Sequence, residues 1–344
     1  MYGKMEIEDI LHLTDKDQIY VIDPEGEFVN QCKASGCGEV IKISSNTTNY
    51  INPFQVSSDH NQSEDTLIDK ADLILSLFEI FKNAPLTAKE RTIIDRCVKL
   101  VYKDYINSKW ADEKVPTFAT FDAILKQQPE IEITTDLCLY LEMYITGTVN
   151  IFSHKSNVDM DKRYIVFDIR ELGANLRAAG MLIIIDFLQN AVFENWKNGV
   201  WSWLYVDEFQ TFYSGSEENN SCAKFFEKMF ARFRKYGGLA TGLTQNITNV
   251  LKSDTAVSML QNSQFVVLLE QASENLEQVT RMYRLSEQQA SRLVSSKIGE
   301  GLLMHKNIAY QFEKLYPKNN IIYNTITTSF SDKIAQLTEL KKAE

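Results

Sequence analysis

The sequence predicts an α/β fold with a mainly parallel sheet and an inserted block of helices. Short apolar runs that suit strands alternate with longer amphipathic stretches that suit helices, near the start of the chain and again after residue 157. Between them, residues 64–150 carry helical periodicity and no strand pattern. We therefore expect an α/β core of residues 1–56 and 157–316, an all-α insertion of residues 64–150, and a C-terminal tail of residues 317–344.

The composition is that of a chain with a large core and an acidic surface. Of 344 residues, 44% are hydrophobic and 11% aromatic, and the net charge is −10. That charge disfavours a broad nucleic-acid-binding surface. It does not exclude a basic pore loop, because a ring-shaped assembly concentrates a few Lys and Arg side chains at its axis. The sequence shows no signal-peptide pattern, and its most apolar stretch is interrupted by Asp186. Five cysteines indicate reduced thiols rather than disulfides, and zinc is not favoured.

The first segment is predicted to form a helix over residues 1–12 and a strand over Gln18–Asp23. Pro24 ends that strand and Gly26 turns the chain. A second strand follows at Glu39–Ser44. This order of elements opens an α/β unit.

The insertion is predicted to contain four helices. Thr66–Phe81 places its apolar residues on one helical face. Thr87 begins the next helix with a capping box that includes Glu90. Shorter helices are expected at Phe118–Gln127 and Thr135–Tyr144.

The α/β pattern then resumes and continues to about residue 316. The predicted strands are Arg163–Ile169, a run from Trp201 to Val206, a run from Leu239 that ends in the amide of Gln245, and Gln264–Glu270. The predicted helices are Asn175–Trp196, Cys222–Tyr236, Asn275–Tyr283 and one that starts near Ser286, with an acidic loop at residues 214–220 and a closing hairpin of Gly301–His305 and Ile308–Lys314.

Polar side chains follow three of these strands and should meet at one edge of the sheet. Asp207 and Glu208 end one strand, Gln245 ends the next, and Asp23 ends the first. An Asp-Glu pair at such a position is typical of P-loop ATPases, where the Asp holds the Mg²⁺ shell and the Glu polarises water. The alternatives are two solvated loop acids and an ordinary loop amide.

Several segments occur in a specific order across residues 1–316. They are Val21–Phe28, Ile51–Phe54, Asn157–Asp159 leading into Val166–Ile169, Tyr205–Glu208, Arg234–Lys235 with Gly237–Gly238, Thr244–Asn246 and Gly299–Leu303. In this order they resemble the motor domain of type IV secretion and conjugation traffic ATPases, the VirB-type and TraC-like motors of the HerA/FtsK clade. The resemblance implies a RecA-like P-loop NTPase core with an inserted all-α domain.

The resemblance also implies ATP and Mg²⁺ as ligands and assigns roles to three residues. Asp207 would bind Mg²⁺ through water. Glu208 would be the catalytic base or the group that positions water, and Gln245 would sense the γ-phosphate.

Arg234 is the candidate arginine finger, contributed to a neighbouring subunit. Arg232 and Lys235 compete with it for that role, and all three also suit a basic helix end that stabilises the helix dipole.

Three further residues are candidates for shaping the nucleotide site. Asp23 and Glu25 would line it or contact the next subunit, or else they form a structural turn. Gly301, with Gly299, would supply a tight turn near the nucleotide base.

The sequence departs from the resembled family in one respect. No Gly-x-x-x-x-Gly-Lys-[Ser/Thr] motif occurs in these 344 residues. Residues 1–12 would then be the body of the helix that follows the P-loop. The chain would be a fragment, a protein read from an internal Met, or a protein that has lost the loop. We expect weak nucleotide binding by this chain and ATPase activity in the intact protein.

The function implied by the resemblance is a hexameric motor that couples ATP hydrolysis to pilus assembly or substrate transfer. Its expected partners are other inner-membrane components of the secretion system and a coupling protein, which would hold it at the inner face of the cell membrane, on the cytoplasmic side. One alternative is a HerA-like or coupling-protein DNA translocase, although the acidic balance does not favour DNA binding. The other is a structural subunit that does not hydrolyse ATP.

Overall fold

Eight strands and thirteen α-helices make up the described residues of the computed structural model, which are 1–44, 46–56, 64–147, 150–213, 221–245, 247–306 and 308–327. The strands are β1 Gln18–Asp23, β2 Gly38–Lys42, β3 Tyr164–Asp168, β4 Ser202–Val206, β5 Gly238–Gly242, β6 Phe265–Leu268, β7 Glu300–His305 and β8 Ile308–Glu313. The helices are α1 Tyr2–Leu13, α2 Val29–Ala34, α3 Glu64–Lys82, α4 Ala88–Asn107, α5 Phe118–Leu125, α6 Ile131–Ile145, α7 Ala174–Lys197, α8 Ser221–Lys235, α9 Ile247–Leu251, α10 Asp254–Asn262, α11 Ser273–Tyr283, α12 Glu287–Ser295 and α13 Ile321–Ile326.

These elements form two compact units. The larger unit is Thr14–Leu243, and the smaller unit joins Met1–Leu13 to the described residues from Thr244 onward.

The larger unit is built on a parallel sheet, sheet A, with strand order β2-β3-β1-β4-β5. All four of its pairings are parallel, which confirms the predicted α/β class. Every residue of β3 is buried, as expected for an apolar strand covered on both faces. Among the described strands, β5 pairs only with β4, so it forms one edge of the sheet.

Helix α7 is the central helix of the larger unit. It contacts the strands β1 and β4 and the helices α3 and α8. Its stretch Leu176–Lys197 is long and apolar enough to cross a membrane, but 61% of its most apolar window is buried inside the protein. That burial is what the core helix of an α/β unit shows.

The segment predicted as an insertion lies between β2 and β3 and forms the four helices α3 to α6. Its separation as a domain of its own stays a prediction. Its core is aromatic, and the Phe54 ring meets those of Phe118 and Phe121 at 5.2 and 5.8 Å. Thr87 makes the predicted capping box with Glu90 at the start of α4. The buried Lys70 of α3 pairs with the buried Asp186 of α7, which joins the insertion to the core.

The smaller unit contains an antiparallel sheet, sheet B, with strand order β6-β7-β8. The predicted hairpin is therefore confirmed, whereas β6 pairs antiparallel with β7 rather than joining the parallel sheet. Helix α1 belongs to this unit, where the Tyr2 ring lies 5.3 Å from that of Phe312. A hydrophobic cluster forms the core, with Leu268, Val279, Leu285, Leu293, Leu302 and Met304.

The structure adds three short helices that the sequence pattern does not predict. Helices α2 and α9 have six and five residues, too few turns for a clear periodicity. Helix α10 has nine residues and is capped by the Ser253 side chain, a signal that was present in the sequence. Helix α2 also starts at Phe28 without a side-chain cap. The predicted acidic loop at 214–220 lies outside the described residues.

Candidate functional site

Three aspartates lie side by side at the carboxyl edge of sheet A. Asp23 and Asp168 are paired in register as the last residues of β1 and β3. Asp207 directly follows β4, and its backbone N–H donates to the Ile22 carbonyl at 3.1 Å. The strand order therefore brings together two predicted residues, Asp23 and Asp207, with a third carboxylate.

Asp23 holds the turn that follows β1. Its carboxylate is fully buried and accepts the backbone N–H groups of Glu27 at 3.0 Å and Phe28 at 2.8 Å. Burial raises its pKa, these hydrogen bonds oppose that rise, and the nearby Asp168 adds to it. The contacts favour the structural-turn interpretation of Asp23 over direct ligand binding.

Two arginines pair with acids beside this turn. Arg170 binds the carboxylate of Asp168 at 2.7 Å, and Arg177 of α7 binds that of Glu25 at 2.9 Å. Gly26 has φ of +71°, and a Cβ there would lie 2.5 Å from the Arg170 side chain. The turn therefore favours glycine for its conformation, since the close approach is only to the flexible end of the Arg170 side chain.

Asp168 and its arginine are missing from the sequence-based prediction. The signal that points to Asp168 is that β1 and β3 both end in aspartate, after runs of similar apolar character. Nothing in the sequence pattern indicates which acid Arg170 would pair with.

Among the carboxylates of this edge, Asp207 has the most strongly raised pKa. It is 8% exposed, and burial raises its pKa from 3.8 to about 7, with further contributions from Glu208, Asp23 and Glu27. The protein therefore favours the protonated form of this group far more than water does. A nearby cation would favour its charged form.

Glu208 occupies an unusual backbone conformation. Its φ is +51°, in the left-handed region that costs a side-chain-bearing residue about 1–3 kcal/mol. Its carboxylate Oε2 accepts a hydrogen bond from Nε2 of Gln210, in the 3-10 helix Phe209–Tyr213. Strained residues of this kind cluster at functional sites, which fits the predicted role of Glu208.

Two predicted residues belong to the smaller unit. Gln245 is exposed and follows the end of β5 by three residues, because the strand stops at Gly242. Gly301 lies inside β7 and does not form the predicted turn. That turn is formed at Gly299, whose φ is +88°. A Cβ at Gly301 would meet the Leu268 carbonyl at 2.5 Å, so sheet packing alone requires glycine there. Ligand contacts by Gln245 and Gly301 stay predictions.

The three basic residues at the end of α8 have different surroundings. Arg232 pairs with Asp69 of α3, and the Lys235 ammonium lies over the Tyr236 ring at 5.5 Å. Arg234 is exposed and has no ion pair within the described part of the chain. Arg232 is therefore engaged within the chain, whereas Arg234 and Lys235 are both exposed and available to another molecule.

The edge suits a Mg²⁺ ion that keeps most of its waters. The described residues contain no group of three or more His, Cys, Asp and Glu that would enclose a metal. Mg²⁺ commonly binds through one or two carboxylates together with substrate phosphates and water. The buried Asp207, with Glu208 beside it, provides that kind of partial site.

Comparison with known proteins gives structural rather than sequence matches. No family model and no curated protein sequence matches the chain. The structure of VirB4 from Thermoanaerobacter pseudethanolicus superposes with a TM-score of 0.77 and 22% identity, over 92% of this chain and 86% of that one. The bacterial conjugative coupling protein TrwBdeltaN70 gives a TM-score of 0.47 and 10% identity, over 89% and 86% of the two chains.

The match to VirB4 extends over both units of the chain. The 92% of the chain that it covers is more than either unit contains. The chain therefore has the RecA-like α/β fold of VirB4.

Proposed function

We propose that this chain is the motor ATPase region of a type IV secretion or conjugation system, coupling ATP hydrolysis to pilus assembly or substrate transfer. The observation that carries the proposal is the Asp207-Glu208 pair at the carboxyl edge of a parallel sheet, in a fold shared with VirB4. Ligands of parallel α/β sheets bind at this edge.

The two acids of this edge, Asp207 and Glu208, would have different roles in hydrolysis. Asp207 would hold the water shell of Mg²⁺, which supplies positive charge to the phosphate oxygens when it is bound. Glu208 would orient the attacking water and accept its proton.

We further propose that the working form is a ring, a hexamer, in which each site is completed by Arg234 of a neighbouring subunit. An exposed guanidinium at a helix end, without an intramolecular ion pair among the described residues, supports this assignment. We place the ring on the cytoplasmic face of the membrane, held there by other components of the secretion system.

ATP hydrolysis by two lengths of the protein tests the proposal. One is the 344-residue chain, and the other is the full-length product of its gene, including any residues encoded upstream. We expect turnover in a form that contains a phosphate-binding loop and little in one that lacks it. If no form binds or hydrolyses ATP, the protein is a structural subunit. If hydrolysis is strongly stimulated by DNA, it is a DNA translocase.

A further inference from the structure

The backbone on both sides of Glu208 is fixed by neighbouring strands. The N–H of Asp207 donates to the Ile22 carbonyl of β1 at 3.1 Å. The N–H of Phe209 donates to the Leu243 carbonyl, just beyond β5, also at 3.1 Å. The chain must therefore turn at the residue between them, which explains the positive φ of Glu208. What remains to be set is the direction of its carboxylate.

The residue that contacts this carboxylate is Gln210. Its Nε2 donates to Oε2 of Glu208, and its side chain is 8% exposed. The 3-10 helix that carries Gln210 is held by rings, since Phe212 stacks on Phe226 of α8 at 4.2 Å. A buried amide on a packed helix has few alternative orientations, so the hydrogen bond holds a defined position.

The chemistry of the donor matters as much as its position. The arginines of this edge are engaged elsewhere, Arg170 with Asp168 and Arg177 with Glu25. An amide donates a hydrogen bond without adding a positive charge, so it orients a carboxylate without neutralising it. A general base needs that combination of fixed direction and retained charge.

We propose that Gln210 is the positioning residue for Glu208. It holds Oε2, which leaves Oε1 to face the attacking water. The proposal rests on the proposed ATPase function, and it assigns Gln210 a role in turnover rather than in nucleotide binding.

The substitution Gln210→Met in the full-length protein tests this role. Gln210→Met keeps the length of the side chain but removes the donor. We expect kcat for ATP to fall about 10-fold or more, since a loss of alignment is costly, with KM within 2-fold of the wild type. Gln189→Met is the matched control, because Gln189 is a half-buried glutamine of α7 outside this edge.

Gln210→Glu adds a readout that a merely structural role would not move. The introduced carboxyl loses its proton as the pH rises and then repels Glu208. We expect its kcat, relative to the wild type, to fall further as the pH rises from 4 to 8, while the ratio for Gln210→Met stays constant.

The outcomes separate this proposal from the proposed function. If Glu208→Gln abolishes hydrolysis but Gln210→Met keeps kcat within 2-fold of the wild type, the positioning role is wrong. It is also wrong if Gln210→Glu and Gln210→Met give the same kcat ratio at every pH from 4 to 8, because a charge placed against Glu208 then has no effect on turnover. If the wild type does not hydrolyse ATP, or Glu208→Gln hydrolyses it normally, the proposed function fails and this inference with it.

Discussion

Asp23, Asp168 and Asp207 end neighbouring strands, yet each carboxylate has a different environment. Asp23 accepts backbone N–H groups, and Asp168 is bound by Arg170. Asp207 is buried beside other acids, and its pKa is raised to about 7. Of the three carboxylates, Asp207 is therefore the one whose charged form the protein stabilises least. It is also the residue proposed to bind the cation.

The raised pKa of Asp207 predicts a pH-dependent cost to stability. Its folded pKa of about 7 lies above the ordinary value of 3.8, so the unfolded chain loses the proton first. The contribution of this group to the free energy of unfolding therefore falls as pH rises from about 4 to 7. We expect the stability that Asp207→Asn gains over the wild type to grow by about 4 kcal/mol between pH 4 and pH 8, since each pKa unit between 3.8 and about 7 corresponds to about 1.4 kcal/mol. In urea unfolding at a series of pH values, a gain that does not change with pH would contradict this account.

The left-handed conformation of Glu208 predicts a second effect on stability. Glycine tolerates a φ of +51°, whereas alanine does not. We expect the Glu208→Gly variant to be more stable than Glu208→Ala by about 1 kcal/mol in urea unfolding, with hydrolysis lost in both. An alanine variant as stable as the glycine variant would show that the backbone is not strained there.

At the scale of elements, α3 links the insertion to the core through charges. Asp69 and Asp72 of α3 contact Lys228 of α8 at 3.0 and 2.6 Å, and Arg232 of α8 also pairs with Asp69. Lys70 of the same helix pairs with Asp186 of α7. These contacts connect the insertion to α8, whose last turn carries Arg234.

The buried Lys70–Asp186 pair predicts a non-additive mutational effect. Lys70→Met leaves the Asp186 carboxylate buried without its cation, and we expect a loss of about 3–5 kcal/mol. Adding Asp186→Leu removes the buried charge and should restore much of that loss. Lys99→Met, which breaks an exposed pair with Asp95, is the control and should change stability by less than about 0.5 kcal/mol. Additive losses in urea unfolding would argue against a buried charge.

Local chemistry explains which elements are predictable from sequence. β1 has the predicted bounds because Pro24 ends it, and α4 and α12 begin at predicted caps, Thr87 and Ser286. Helices of five or six residues leave no measurable period. The antiparallel pairing of β6 with β7 depends on distant residues, which a local pattern does not report.

The same limit applies to the candidate site. Asp207 and Glu208 are identifiable because they directly follow an apolar strand. Asp168 becomes noticeable only once β3 is known to lie beside β1. The contact between Gln210 and Glu208 depends on a 3-10 helix and a left-handed residue, neither of which has a sequence period.

At the scale of the whole molecule, the predicted site residues are distributed over the two units. Asp23, Glu25, Asp207, Glu208 and Arg234 lie in the larger unit, and Gln245 and Gly301 lie in the smaller one. The chain passes from one unit to the other at Leu13–Thr14 and again at Leu243–Thr244, one residue after the end of β5.

A composite site between subunits predicts that two inactive variants restore each other. Arg234→Ala would lack the finger, and Glu208→Gln would lack the base. In mixed rings some sites combine an intact Glu208 with an intact Arg234 from the neighbour, so we expect partial ATP hydrolysis on mixing. A mixture as inactive as its components would contradict a finger supplied in trans. Light scattering on the mixtures shows whether rings have formed.

The most direct test of the central claim is ATP turnover and ATP binding by the full-length protein, wild type and Glu208→Gln. Glu194→Gln, on the outer part of α7, serves as the matched control. We predict that Glu208→Gln lowers kcat by about 100-fold or more while nucleotide affinity is kept, because the role of Glu208 is in the transition state. Equal turnover by the wild type and Glu208→Gln would contradict the assignment of this edge as the site of hydrolysis.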